Sequence, residues 1–273
     1  MMKKNWIIIL AVLLIISSCE DVVVVDLEEA EKRIVIDASI KWKKGTDGNE
    51  QKIKISKTRG FYEEDPIPVT DANVTISKSD DNAFEFVNDD ENPGTYITEQ
   101  FEPVIGQEYQ LNIQAEGQNF QATEVLKSVV PIDSITQRDD AGFGGDEIEI
   151  KTHYTDPAGI ENFYLFNYQV PFIQIPTLEI FDDEFNDGNP IFSTYQEEDL
   201  KAGAIVNIQM QGISEQYYDY LFLLLNQIGD SGGPFQTRPA TVRGNIINTT
   251  NEENYPFGYF SLSEVDTLNY EVK

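Results

Sequence analysis

Glu108-Tyr109-Gln110-Leu111-Asn112-Ile113, Glu116-Gly117-Gln118 and Phe120-Gln121-Ala122-Thr123-Glu124 are the segments on which the fold is decided. Tyr109, Leu111 and Ile113 alternate with polar neighbours, and Phe120 and Ala122 repeat the alternation, with Glu124 in the next place of the series. Successive side chains of a strand point to opposite faces, so one apolar parity over several residues marks a half-buried strand. Glu116-Gly117-Gln118, between the two runs, has the chemistry of a turn. The pattern extends back toward the N-terminus. Ile34, Ile36 and Ala38 alternate with Val35, Asp37 and Ser39, and Ile53 and Ile55 sit among Lys52, Lys54 and Lys57. Val74 and Ile76, Phe84 and Phe86, and Tyr96 continue it, with turns at Asn92-Pro93-Gly94 and Ile105-Gly106-Gln107. Seven short strands within roughly 100 residues predict a β-sandwich of immunoglobulin-like or transthyretin-like type over residues 33–130.

Val129-Val130-Pro131 ends that series, and a new one starts at Ile132. A second β-domain is expected over residues 131–273, with strands at Ile148–Tyr154, Phe163–Val170, Ala204–Met210, Thr241–Ile247, Gly258–Leu262 and Leu268–Val272. In the Phe163 strand, Tyr164, Phe166 and Tyr168 share one face and Phe163 and Leu165 the other, so both faces should be covered. One helix is predicted at about residues 214–228. Ser214 can cap it, Glu215 suits its first turn, and Ile213 with Tyr218 is spaced as a hydrophobic staple. Tyr217, Leu221, Leu224 and Ile228 fall on one face, widened by Phe222 and Leu225, and Gly229 is placed to end the helix. The fold class is therefore mainly β: two β-sandwich-like domains, the second carrying one substantial α-helix.

The first residues differ from all of this. Lys3 and Lys4 precede an apolar run from Trp6 to Ile16, followed by Ser17, Ser18 and Cys19. This is the layout of a secretory signal, and the run is shorter than the ~20 residues a membrane span needs. Ile16-Ser17-Ser18-Cys19 resembles the lipobox of bacterial lipoproteins, and Cys19 is the only cysteine, so no intrachain disulfide competes for it. Residues 1–18 are expected to be a lipoprotein signal peptide, Cys19 the acylated anchor (palmitate or a similar chain), and 19–32 a tether. Nineteen basic residues face 48 acidic ones, a net charge of −29. Such a surface repels phosphate backbones and argues against nucleic-acid binding.

Two segments resemble chemistry. Gly229-Asp230-Ser231-Gly232-Gly233-Pro234 has the look of a serine-protease nucleophile and fits G-x-S-x-G, with His153, the only histidine, as the one available base. A nucleophile elbow needs a strand before the serine and a helix after it, whereas here a helix precedes it and Pro234 follows. A glycine-rich connection is the expectation, and a serine hydrolase is ranked last. Asp182-Asp183-Glu184-Phe185-Asn186-Asp187-Gly188-Asn189 offers the oxygens calcium prefers. In an EF-hand register Gly188 would put Phe185 third and Thr194 twelfth, and neither suits. Asp183 and Asp187 are the weak metal candidates, a solvated acidic loop is expected, and no cofactor is implied.

Nine short segments resemble, in order, the DUF4249 lipoproteins of Bacteroidetes. They are Arg33-Ile34-Val35-Ile36-Asp37, Asp71-Ala72-Asn73-Val74, Gly94-Thr95-Tyr96, Asp156-Pro157-Ala158-Gly159 running on to Tyr164, and Asp182–Gly188. The rest are Tyr217-Tyr218-Asp219-Tyr220-Leu221, Gly233-Pro234-Phe235, Val242-Arg243-Gly244-Asn245-Ile246 and Gly258-Tyr259-Phe260. The resemblance implies a non-enzymatic, surface-exposed outer-membrane lipoprotein that partners a TonB-dependent, SusC-like receptor in ligand capture or uptake. A structural or assembly subunit of an envelope complex is the alternative.

Overall fold

The computed structural model describes residues 31–60, 63, 65–78, 82–229 and 241–273. The expected signal peptide, Cys19, most of the tether, and Asp230 to Pro234 with Ser231 lie outside the described residues. The first half of the chain supplies β1 (Ile34–Lys43), β2 (Gln51–Lys57), β3 (Ile67–Pro68), β4 (Asn73–Lys78), β5 (Ala83–Asn88), β6 (Thr95–Thr98), β7 (Glu108–Ala115) and β8 (Gln118–Val125). The second half supplies β9 (Ser134–Ala141), β10 (Glu147–Thr155), β11 (Phe163–Gln169), β12 (Thr177–Asp182), β13 (Pro190–Gln196) and β14 (Ile205–Ile213). Helix α1 (Glu215–Gly229), β15 (Ile247–Asn248) and β16 (Phe257–Glu271) complete it.

The seven expected strands of the first half are all present, with the parity read from the sequence. Ile36, Ala38, Ile53, Ile55, Val74, Ile76, Tyr109 and Leu111 are fully buried and share one core with Phe86, Tyr96 and Phe120. The hydrogen-bonded path runs β1-β2-β6-β5-β4-β7-β8-β15. β5 turns the corner between the two layers: Ala83 to Phe86 pair with β4, while Val87 and Asn88 pair with β6.

A second core forms from Ile150 and Tyr154 of β10, Tyr164, Phe166 and Tyr168 of β11, Tyr195 of β13, and Val206, Ile208 and Met210 of β14. It fills the space between the layer β12-β11-β14-β16 and the three-stranded sheet β13-β10-β9. On the other face of β11, Leu165 and Phe163 meet α1 through Leu221, Tyr217 and Tyr218, so this strand is covered on both sides as its sequence requires. The Ser214 hydroxyl accepts from Tyr217 N at 3.2 Å, which is the expected cap.

β16 joins the two sandwiches. Its first nine residues pair in parallel with β1, Val35 to Phe257 through Lys43 to Val265. From Val265 to Glu271 it pairs antiparallel with β14. Residues 127–132 run beside it: Glu264 Oε2 accepts from Val129 N at 2.9 Å and Asp266 Oδ2 from Ile132 N at 2.8 Å. This backbone passes so close to β14 that a Cβ on Gly212 would overlap the Ser128 carbonyl. Gly258, at φ +101, is constrained likewise by the Ile36 carbonyl. Lys32–Lys273 consequently form one compact unit.

Several expectations are corrected. Gly258–Leu262 and Leu268–Val272 are halves of the single strand β16, because Glu264 and Asp266 continue the ladder while their side chains hold the linker. Ile246, Phe260 and Leu262, expected in the second domain, pack in the first core. Of Thr241–Ile247 only Ile247 is in a strand, and β9, β12 and β13 arise where no strand was expected. The helical stripe is only partly buried: Leu221 is 4% exposed and Tyr217, Leu224 and Leu225 are half-buried, whereas Phe222 and Ile228 are 51% and 66% exposed.

Glu124, at the end of β8, is buried and accepts from Val125 N at 2.9 Å and from the Ser214 hydroxyl at 2.9 Å. Burial raises its carboxyl above the ordinary 4.5, against those two hydrogen bonds. A raised folded-state pKa means that stability is fully present below the unfolded value and is lost as pH rises through the folded one. Glu124→Gln should therefore melt higher than the unaltered protein at pH 7.5, with the gap closing as pH falls toward about 4.5 and absent below it. Thermal melts across that range check it.

Candidate functional site

β10 and β12 end on the same side of the second sandwich, and strand parity decides what they place there. Tyr154 faces the core, so Asp156, two residues on, faces the same way; Phe181 packs at the core edge, and Asp183 follows it inward. Loop 183–189 then folds against loop 156–162, close enough that a Cβ on Gly188 would overlap Ala158. Asp156 is 2% exposed and Asp183 6%, while Asp187 lies at the surface. One carboxylate oxygen from each of the three falls within 4.8 Å of the others. Among the described residues this is the only such group of three.

The surrounding groups hold the carboxylates in place. Asp156 Oδ1 accepts from the Tyr164 hydroxyl at 2.7 Å, and Oδ2 from Gly188 N at 3.3 Å. Asp183 Oδ2 accepts from Asn162 N at 2.9 Å, and Asp187 Oδ1 from Gly159 N at 2.6 Å. Asp183 Oδ1 and Asp187 Oδ2 receive no hydrogen bond from the described residues. Burial, and then the hydrogen bond to Asp156 and its negative charge, push the Tyr164 phenol well above its ordinary range. Tyr154 is shifted the same way, by burial first and by Asp156 next. The structure thus brings Asp183 and Asp187 together and adds Asp156, which the sequence singled out only within a family-like segment and not as a ligand.

A second feature lies on the outward face of the first sandwich. Asp37, Ser39 and Lys41 of β1, Lys52 and Lys54 of β2, and Thr95 and Ile97 of β6 line a groove of about 570 Å³ with Asp89 and Asn92. Helix α1 borders the same surface, its Tyr217 and Tyr220 packing on Tyr259 at 4.5 and 4.8 Å. Three lysines converging on one groove stand out in a chain of net charge −29.

His153 projects from the opposite side of β10 to Tyr154. Its Nε2 bonds the Thr136 hydroxyl at 2.8 Å, and its ring packs 5.6 Å from Phe192. Its place is a cross-strand contact between β9, β10 and β13.

The family model "Domain of unknown function (DUF4249)" matches residues 20–269. The chain belongs to the DUF4249 family. No curated protein is similar enough in sequence to count as a relative. Solved structures with some likeness include a two fibronectin type-III domain segment from chicken tenascin, at 14% identity and TM-score 0.22, covering 60% of this chain and 85% of that one. A cytokine receptor complex gives 8%, 0.24, 66% and 82%, and a DUF4785 family protein from Legionella pneumophila 7%, 0.22, 66% and 51%. At such TM-scores these overlaps carry no argument. Within this DUF4249 chain, the segments Asp156–Tyr164 and Asp182–Gly188 contain the three carboxylates, and Gly258-Tyr259-Phe260 lies at the start of the shared strand.

The Tyr164–Asp156 bond is short, buried and made to a carboxylate. Tyr164→Phe should cost about 1.5–3 kcal/mol, measured by denaturant titration; a loss below roughly 0.5 kcal/mol would mean that water replaces the phenol freely.

Proposed function

We propose that this chain is a lipid-anchored, non-enzymatic accessory protein on the outer membrane, which works beside a TonB-dependent receptor in capturing or admitting a ligand. The observation that carries this reading is Ile16-Ser17-Ser18-Cys19, a lipobox-type segment holding the only cysteine, ahead of a β body joined to it by a short acidic stretch. Multiple acyl chains on one residue give stable anchoring. No helix among the described residues is long and apolar enough to cross a membrane, so attachment in this reading rests on Cys19.

The lysine groove is where such a protein meets an anionic partner or ligand. With Lys41, Lys52 and Lys54 against Asp37 and Asp89 the groove is net positive on an acidic body, which orients an encounter with an anion. The alternative, an assembly subunit of an envelope complex, shares the anchor and differs in the partner.

Cross-linking in native membranes, then purification through this chain, tests the reading. The expected result is a TonB-dependent receptor recovered with the acylated protein, and several-fold less recovery when Lys41, Lys52 and Lys54 are all changed to Glu. Cys19→Ala should lose both the acyl label and membrane association. Recovery of an assembly machine instead of a receptor, or undiminished fatty-acid incorporation into Cys19→Ala, would refute it.

A further inference from the structure

We propose that Asp156, Asp183 and Asp187 form a calcium site at the end of the second sandwich. Oxygen ligands of calcium lie at 2.3–2.6 Å, so two of them can be at most about 5.2 Å apart across the ion. The three carboxylates meet that limit in every pairing. Two of them are buried, and none is paired with Lys, Arg or His among the described residues. Buried like charges at this spacing repel each other in a medium that screens poorly, and a divalent cation turns the repulsion into binding.

A separate feature points to the same place. Tyr154 is fully buried, yet its hydroxyl has no hydrogen-bond partner among the described residues. A buried polar group left unpaired costs free energy, and such groups are ordinarily satisfied by protein or by ordered water. Tyr154 stands two residues before Asp156 on the same face of β10, its ring 5.1 Å from that of Tyr164, whose hydroxyl bonds Asp156. A water in the coordination shell of an ion held by Asp156 and Asp183 supplies the missing partner.

The donor set selects the metal. Carboxylate oxygens alone, with no His or Cys in the group, suit a hard cation. Calcium accepts irregular geometry from flexible loops and completes its six to eight ligands with water, whereas magnesium demands a near-ideal octahedron. Three ligands from two loops correspond to the weak affinity of extracellular modules, ~10⁻⁴ to 10⁻³ M. The sequence register could not show the site because one ligand comes from a loop 27 positions away from the next.

The test uses the purified protein from residue 20 onward, stripped with EDTA and melted with and without 10 mM CaCl₂. The melting temperature should rise by roughly 3–10 °C. Asp187→Asn, at an exposed position and still able to accept from Gly159 N, should melt like the unaltered calcium-free protein and lose most of the rise. Terbium luminescence excited through tyrosine should saturate and be displaced by calcium, and should weaken in Asp187→Asn. No rise in melting temperature, a rise undiminished in Asp187→Asn, or an equal rise with 10 mM MgCl₂ would overturn the assignment.

Discussion

The ladder of β16 is the interaction on which the rest of this structure depends. A strand of ordinary length serves one sheet; this one pairs with β1 along its first part and with β14 along its second, changing partners at Val265. The two cores therefore share a backbone, and the outward surfaces of both sandwiches become one continuous face. Helix α1 lies across that face, with Tyr217 and Tyr220 on Tyr259 of β16 and Leu221 against the layer containing β11. The close approaches at Gly212 and Gly258 follow from the same crowding, since a second backbone segment lies against each.

Function in this reading is divided between the ends of the body. The anchor precedes the first sandwich in sequence, the lysine groove opens on that sandwich's outer face, and the carboxylates close one end of the second. Each feature uses the sheet in the same way: parity aims alternate side chains outward, and loops gather what the strand ends present. Calcium binding would stiffen loops 156–162 and 183–189, and it would do so only where calcium is abundant, which is outside the cytoplasm.

Much of the first sandwich was legible from alternation alone, because each of its main strands buries one clear apolar parity. The second was harder. β9, Ser-Ile-Thr-Gln-Arg-Asp-Asp-Ala, is an edge strand with only Ala141 buried, and β12 is half-buried along its whole length, so neither shows a parity. β16 read as two strands because Glu264 and Asp266 interrupt the apolar pattern to bond the linker. The helix start and cap were readable, but the stripe through Ile228 suggested burial that the sheet does not provide. Asp183 and Asp187 were recognisable as oxygen donors, whereas Asp156 was not, since nothing local signals a contact made across two loops.

Coupling through β16 can be measured directly by equilibrium unfolding of the protein from residue 20 onward, read by two probes at once. Trp42, then the only tryptophan, reports the first sandwich, and hydrogen-exchange protection of the Tyr164–Tyr168 amides reports the second. One strand shared by both cores predicts a single coincident transition in urea. Two separate midpoints, with the Tyr164–Tyr168 amides losing protection while Trp42 remains native, would contradict it.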